Sequence, residues 1–533
     1  MMLKINPASY LLPGKKLITP SVAASGSSGS SRFVNHTGSF TGNRGATMTA
    51  DTGSSTTSGA SAAAAAHHPP KPAQSKMNSY FPLGYKEAAH QWWSGVSLRQ
   101  AEHGVLSFIP YLREATAENT GAQIQDLAKS DPFGHRVWRT TMVALSGKNR
   151  ALNEFSIERV GEKVDNNLVM LHGYGAGLGF FYKNFEPLSR VPGWKLYALD
   201  MLGMGNSTRP PFKIHAKEHK AKIAEAESWF VDALEEWRKA RKIEKFTLMG
   251  HSMGGYMAVS YALKYPGRLN KLILVSPVGI PEDPWAVDAA MPEPESSTMV
   301  AEFTQDQESI VSRQPAGDNA QYLAAADKKS AAAKNTTTPP KRPLPGWLVW
   351  LWDANVSPFS VIRMAGPLGP RLVSAWSARR FNHLPVPEKE SLHTYSYALC
   401  QQTGSGEYAM PYILAPGAYA RSPLINRIQD VGRGVITPAT ETTPEVRENG
   451  IPVVFMYGEN DWMDVAGGYA AEEKIKKRIE KALLSGGGDD ATQENGSAKV
   501  VVVRRAGHHL YLDNPEEFNA VVRGELESVG KEK

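Results

Sequence analysis

The chain has 533 residues, 41% hydrophobic and 21% charged, which is enough for one large domain with insertions or for two or three domains. It has no run of about 18 or more uncharged apolar residues, the length a spanning helix needs. Its single cysteine, Cys400, excludes an intramolecular disulfide and a cysteine-rich metal site and suits a reducing compartment.

The net charge of +6 is concentrated in the first fifty residues, which hold Lys4, Lys15, Lys16, Arg32 and Arg44 and no Asp or Glu. The rest is close to neutral and lacks a basic stripe with interleaved aromatics, so no nucleic-acid partner is expected. Residues 1–76 are rich in Ser, Thr, Gly and Ala. They predict a disordered leader, with the composition of a mitochondrial transit peptide or of an ordinary tail.

Order should begin near Tyr80. Tyr85 to Tyr111 has roughly helical spacing, with Trp92 and Trp93 on a helix that either packs on the domain or lies at a membrane–water boundary. Trp138 to Leu145 and Leu152 to Val160 alternate as strands of a hairpin. Asn167 to Leu171 is a buried-type strand running into the loop His172-Gly-Tyr-Gly-Ala-Gly-Leu-Gly179. A helix from Phe180 to Leu188, a strand from Lys195 to Leu199 and an amphipathic helix from Ala224 to Ala240 follow. The next strand ends in Gly250-His-Ser-Met-Gly254, a G-x-S-x-G motif, with a helix after it and then the strand Leu272 to Ser276. Strands alternating with helices at this interval predict an α/β fold, a mostly parallel sheet with helices on both faces.

The alternation stops at Pro277. Residues 281–449 form an inserted cap, with 292–343 polar, Ala/Ser/Pro-rich and read as disordered, and with an aromatic stretch, Trp347, Trp350 and Trp352, suited to lipid contact. Residues 77–280 and 450–533 are then the two halves of the core. The second half contributes the strand Ile451 to Met456, a helix from Gly467 to Leu484, the strand Val500 to Arg504 and a final helix.

Ser252, Asp461 and His508 each follow the carboxyl end of a predicted parallel strand, the edge where ligands and chemistry collect in open α/β sheets. Their order, serine then acid then histidine, is that of hydrolase triads. Serine is a weak nucleophile without a base, and His508 is placed to take and return its proton. Asp461 would hold the imidazole, with Asp464 as its rival. The oxyanion requires two backbone N–H groups, expected from Met253 and from Tyr174 or Gly175. His251 is expected to be structural, and His509 to serve packing or a substrate contact. His508 and Asp513 also form an H-x4-D pair, the spacing that joins a histidine base to a carboxylate in glycerolipid acyltransferases. The glycine run Gly173 to Gly179 lacks the Lys-Ser/Thr of a phosphate-binding loop.

With these motifs in view, the chain from Tyr80 onward resembles the α/β-hydrolases related to the comparative-gene-identification lipase coactivator. The resemblance is carried by His172-Gly-Tyr-Gly-Ala-Gly, Gly250-His-Ser-Met-Gly-Gly255, Ala506-Gly-His-His-Leu-Tyr-Leu-Asp-Asn-Pro-Glu-Glu-Phe-Asn519 and, most specifically, the cap segment Ser357-Pro-Phe-Ser-Val-Ile-Arg-Met-Ala-Gly-Pro-Leu-Gly-Pro-Arg-Leu-Val373. The family includes a mitochondrial cardiolipin-specific deacylase and lysophosphatidate acyltransferase-like proteins. The coactivator itself has no serine at the nucleophile position, whereas this chain has Ser252.

The resemblance therefore implies an active serine enzyme of the α/β-hydrolase fold. Together with the basic, acid-free leader it implies a peripheral protein of the mitochondrial inner membrane that deacylates cardiolipin to monolysocardiolipin. It implies a phospholipid partner and no cofactor or metal. Acyl transfer to a lysophospholipid and a non-enzymatic, lipase-regulating role at a lipid surface are the alternative expectations.

Overall fold

A nine-stranded sheet carries the molecule. The computed structural model describes residues 81–115, 131–282, 307–312, 346–485 and 494–529, all within one compact unit, Ser75–Lys533. The leader and most of the 292–343 stretch lie outside the described residues. The strands are β1 (Arg113–Glu114), β2 (Arg136–Ala144), β3 (Ala151–Arg159), β4 (Asn166–Leu171), β5 (Trp194–Leu199), β6 (Phe246–His251), β7 (Leu269–Val275), β10 (Pro452–Gly458) and β11 (Ser497–Val503), while β8 (Val435–Thr437) and β9 (Val446–Arg447) form a separate antiparallel pair. The spatial order is β1-β2-β3-β5-β4-β6-β7-β10-β11. Only β2–β3 and β3–β5 pair antiparallel in this sheet; the other pairs are parallel.

Parallel strands need crossovers, and here helices cover both faces. On one face the helices His219–Ala240 and Met253–Lys264 bury Phe230, Leu234, Trp237, Tyr256 and Tyr261. On the other, Phe155, Phe181, Phe185, Tyr511 and Phe518 pack together. Central strands such as β6 are buried along their whole length, which explains their continuous apolar runs.

The cap fills the interval between β7 and β10, adjacent strands of the sheet. Its helices include Gly346–Asp353, Pro358–Met364, Gly369–Arg380 and Val386–Gln401. A short helix, Gln307–Val311, lies inside the stretch expected to be disordered, with Gln307 and Ile310 buried. Ala/Ser-rich surroundings conceal this one turn in the sequence; it is held by tertiary contact rather than by local pattern. Trp350 is exposed, whereas Trp352 is half-buried and its Nε1 donates to Leu414 O at 2.9 Å.

The segment expected to be helical from Tyr85 to Tyr111 is two helices, Tyr85–Ser94 and Leu98–Leu106. The first ends at Gly95 in the left-handed conformation (φ 55°), and Ser97 with Gln100 forms a capping box for the second. The second helix buries Leu98, Ala101, Val105 and Leu106, while the first leaves Trp92 and Trp93 exposed.

Candidate active site

The strand-turn-helix at Ser252 fixes the geometry. Ser252 has φ 53° and ψ −115°, and its side chain does not cap the helix it starts. A non-glycine residue held in such a region costs about 1–3 kcal/mol and persists only where its surroundings enforce it. Here the backbone is held on both sides: Ser252 N donates to Val275 O at 2.9 Å, and Ser252 O accepts from Gly255 N, Tyr256 N and Val278 N at 3.0–3.2 Å. The flanking glycines are steric necessities. A Cβ on Gly250 would lie 2.3 Å from Gly254 O, and one on Gly254 would lie 2.6 Å from Leu171 O.

His508 and Asp461 are brought together as expected. His508 Nδ1 lies 3.2 Å from Asp461 Oδ1. The loops that carry them are joined by Asn460 N donating to Ala506 O at 2.8 Å and Glu459 N donating to Val503 O at 2.8 Å. Asp461 Oδ1 also accepts from Met463 N at 3.0 Å, which fixes the carboxylate's orientation. With Nδ1 engaged, Nε2 is the ring nitrogen available to a nucleophile. The rival carboxylate, Asp464, has another place: its Oδ1 accepts from Ala466 N at 3.0 Å, capping the helix Val465–Ser485.

Two residues beside Asp461 and His508 have defined positions that the sequence did not give them. Ser276, at the end of β7, donates to Asp461 Oδ2 and sits 2.7 Å from His508 Nδ1. Its hydroxyl therefore bridges the acid and the base. His251, expected to be structural, makes a specific contact, with Nε2 3.0 Å from His508 O. Burial, and then the neighbouring His508, hold the His251 imidazole well below its usual range. It is neutral, Nε2 carries the proton, and it donates to the histidine loop. This bond ties the residue before the nucleophile to the residue proposed as its base. The Trp462 ring packs beside His508, with 4.8 Å between ring centroids.

The loop after β4 passes against the elbow. His172 Nε2 accepts from Met201 N at 3.1 Å, so Nδ1 carries the proton and donates to Gly173 O at 2.8 Å. A Cβ on Gly173 would lie 3.1 Å from Ser252 Cβ. Ala176 N closes back on Gly173 O at 3.3 Å, leaving Tyr174 and Gly175 at the tip of the turn. Met253, the first residue of its helix, has an amide without an intrahelical acceptor.

The cap reaches this loop directly. Phe359 stacks on Tyr174 with ring centroids 5.1 Å apart, and a Cβ on Gly175, which has φ 73°, would lie 3.1 Å from Phe359 Cζ. Ser252 itself is 9% exposed.

The remaining expected residues are buried at the edge of this site. Asp513 Oδ2 accepts from Gly507 N at 2.9 Å, and Arg380 Nη2 lies 3.2 Å from Asp513 Oδ1. His509 is a packing residue as well as an acceptor: its ring lies against Phe180, 5.9 Å between centroids, and its Nδ1 accepts from Arg380 Nε at 2.8 Å. Among the described residues no group of three or more His, Cys, Asp or Glu side chains could hold a metal ion.

A strand–turn–helix at Ser252, set in a mostly parallel sheet with helices on both faces, places the chain in the class of α/β proteins. The comparisons make the family explicit. The family model for the alpha/beta hydrolase fold matches residues 166–515, and the chain belongs to that family. It is 29% identical over 432 residues, 79% of this chain and 78% of the relative, to a 1-acylglycerol-3-phosphate O-acyltransferase of Arabidopsis thaliana. It is 30% identical to the Mus musculus 1-acylglycerol-3-phosphate O-acyltransferase ABHD5, over 72% of this chain and 82% of that one. A third relative, the 1-acylglycerol-3-phosphate O-acyltransferase ICT1 of Saccharomyces cerevisiae, is 28% identical over 67% of this chain and 80% of its own.

Proposed function

We propose that the protein is a serine acyl-ester enzyme that deacylates phospholipid at a membrane surface. The observation that carries this is the Ser252 elbow, with an uncapping side chain and with His508, already held by Asp461 and Ser276, fastened to the adjacent His251. His508 Nε2 takes the proton from Ser252 Oγ as that oxygen attacks the acyl carbonyl carbon. The resulting oxyanion faces the amides of Met253 and of Tyr174 or Gly175; each such donor contributes about 3 kcal/mol. Collapse breaks the ester bond, and the leaving lysolipid oxygen takes the proton from His508. Water, deprotonated by His508, then attacks the acyl-serine; the acyl–Oγ bond breaks, Ser252 Oγ takes the proton back from His508, and the fatty acid is released.

Exposed apolar side chains support a lipid surface as the place of action. The first helix, with Trp93 82% exposed, neighbours the cap segment that holds Met364, 77% exposed, and Leu368 and Leu372. Among the described residues no helix is long and apolar enough to cross a membrane. The substrate we propose is cardiolipin, converted to monolysocardiolipin by a protein peripheral on the mitochondrial inner membrane. The basic, acid-free leader and the family resemblance support that choice.

A second reading has its own support. The relatives are named as acyltransferases of 1-acylglycerol-3-phosphate, and the same acyl-serine could pass its chain to a lysophospholipid hydroxyl in place of water. Product analysis by mass spectrometry separates the two. Purified protein is incubated with mixed mitochondrial phospholipids, with and without lysophosphatidate. Free fatty acid and monolysocardiolipin support deacylation. Acyl chains recovered only on the added lysolipid would replace it by transfer, and consumption of other phospholipids alone would remove cardiolipin as substrate.

A further inference from the structure

The H-x4-D pair has a different use from the one its spacing suggests. The carboxylate facing His508 is that of Asp461. Asp513 instead accepts from the Gly507 amide and pairs with Arg380, whose Nη2 is 3.2 and 3.3 Å from its two oxygens. Arg380 ends the cap helix Gly369–Arg380. Its Nε donates to His509 Nδ1 at 2.8 Å, and its Nη1 bonds Gln307 Oε1 from a second cap segment. The arginine thus holds His509 directly and Gly507 through Asp513, the two neighbours of His508. Arg380, Asp513, His509 and Gln307 are all buried.

We propose that Arg380 and Asp513 are positioning residues, a clamp by which the cap sets the histidine loop, and that Asp513 has no separate part in acyl transfer. His508 sits on a loop, not on a strand or helix, and a base displaced by about 1 Å can lose about 100-fold in rate. The guanidinium is suited to this task because its planar fork serves three acceptors at fixed angles, which a lysine ammonium cannot reproduce. The clamp also makes the seating of the cap a condition for an aligned base. This inference rests on the proposed serine chemistry.

The test uses the full chain and an alkyl fluorophosphonate, which reports activation of Ser252 without a lipid. Hydrolysis of an acyl donor and transfer from it to lysophosphatidate are followed in parallel. The variants are R380K, D513N, D513A and the double R380M/D513N. The double removes both charges and so avoids leaving one buried and unpaired. Thermal melts establish that each is folded.

The clamp predicts labelling slowed about 10–100-fold in folded R380K and in the double variant. D513N should lie between wild type and D513A, because an asparagine oxygen still accepts from the Gly507 amide. The ratio of transfer to hydrolysis should stay constant throughout. Labelling of the folded double variant at the wild-type rate overturns the clamp. So does loss of transfer with hydrolysis retained in D513N, which would make Asp513 a participant in transfer. Absence of Ser252 labelling in the wild type overturns the serine chemistry itself, and with it this inference.

Discussion

Ser276 Oγ lies 2.7 Å from His508 Nδ1, closer than the 3.2 Å that separates that nitrogen from Asp461 Oδ1. Because the hydroxyl donates to Asp461 Oδ2, it accepts from the imidazole N–H and joins acid to base. A hydrogen bond to a charged group contributes about 1.5–3 kcal/mol. Ser276→Ala should therefore lower kcat by about 10–100-fold with KM little changed, whereas Ser276→Thr, which keeps the hydroxyl, should recover much of the loss. An alanine variant with wild-type kcat would show that Asp461 alone orients the base.

The two candidate carboxylates separate in the same kind of experiment. Asp461→Asn leaves the wrong hydrogen-bonding character facing Nδ1, a change that costs about 10⁴-fold in comparable triads. Asp464→Ala removes a helix cap and should cost about 0.5–2 kcal/mol of stability while sparing kcat. Steady-state kinetics and thermal melts on both variants decide the matter; the reverse pattern would exchange their roles.

Much of this site was legible in the sequence, and the reason is local. The elbow at Gly250 to Gly254 carries a local motif although distant Val275, Val278 and Leu171 help to hold it, and Asp461 and His508 follow recognisable strand ends. Ser276 was not legible because a serine at the end of β7 has no motif; its meaning arises only when β10 pairs with β7 and brings Asp461 beside it. Arg380 was hidden for the same reason, since its partners His509, Asp513 and Gln307 are all more than seventy positions away. The helix at Gln307–Val311 lay within a polar, Ala/Ser-rich stretch whose composition suggested no structure, and the break at Gly95 was visible only as one glycine in a helical pattern.

Glu102 gives the fold a pH dependence. Its carboxyl is pushed up to about 8, first by burial and then by the nearby Asp200. Tyr395, from the cap helix Val386–Gln401, donates to Glu102 Oε2 at 3.1 Å, and Asn153 Nδ2 donates to Oε1 at 3.1 Å. The folded state thus holds a proton that the unfolded chain releases near pH 4.5. This contribution to stability is full below that pH and is lost as the pH rises to about 8. Thermal melts across this range should show the decline in wild type and a flatter profile in Glu102→Gln. Identical profiles would mean that the carboxyl is ionised in the fold.

If the protein acts at a lipid surface as proposed, its exposed apolar residues Trp93 and Met364 are where contact is expected. Burying one large apolar side chain contributes about 1.5–3 kcal/mol. Trp93→Glu combined with Met364→Glu should then reduce partition onto cardiolipin-containing vesicles by about tenfold or more, measured by cosedimentation. Fluorophosphonate labelling in solution should be unaffected. Unchanged partition would place the lipid contact on another face.

In the proposed reaction Ser252 forms an acyl-enzyme with a phospholipid acyl chain. This step is tested most directly by comparing wild type with Ser252→Ala on cardiolipin vesicles, with products followed by mass spectrometry and folding checked by thermal melt. The wild type should yield fatty acid and monolysocardiolipin, and a folded alanine variant should show turnover reduced by about 10⁶-fold, effectively to zero. A folded Ser252→Ala protein that releases the same products at the wild-type rate would contradict it.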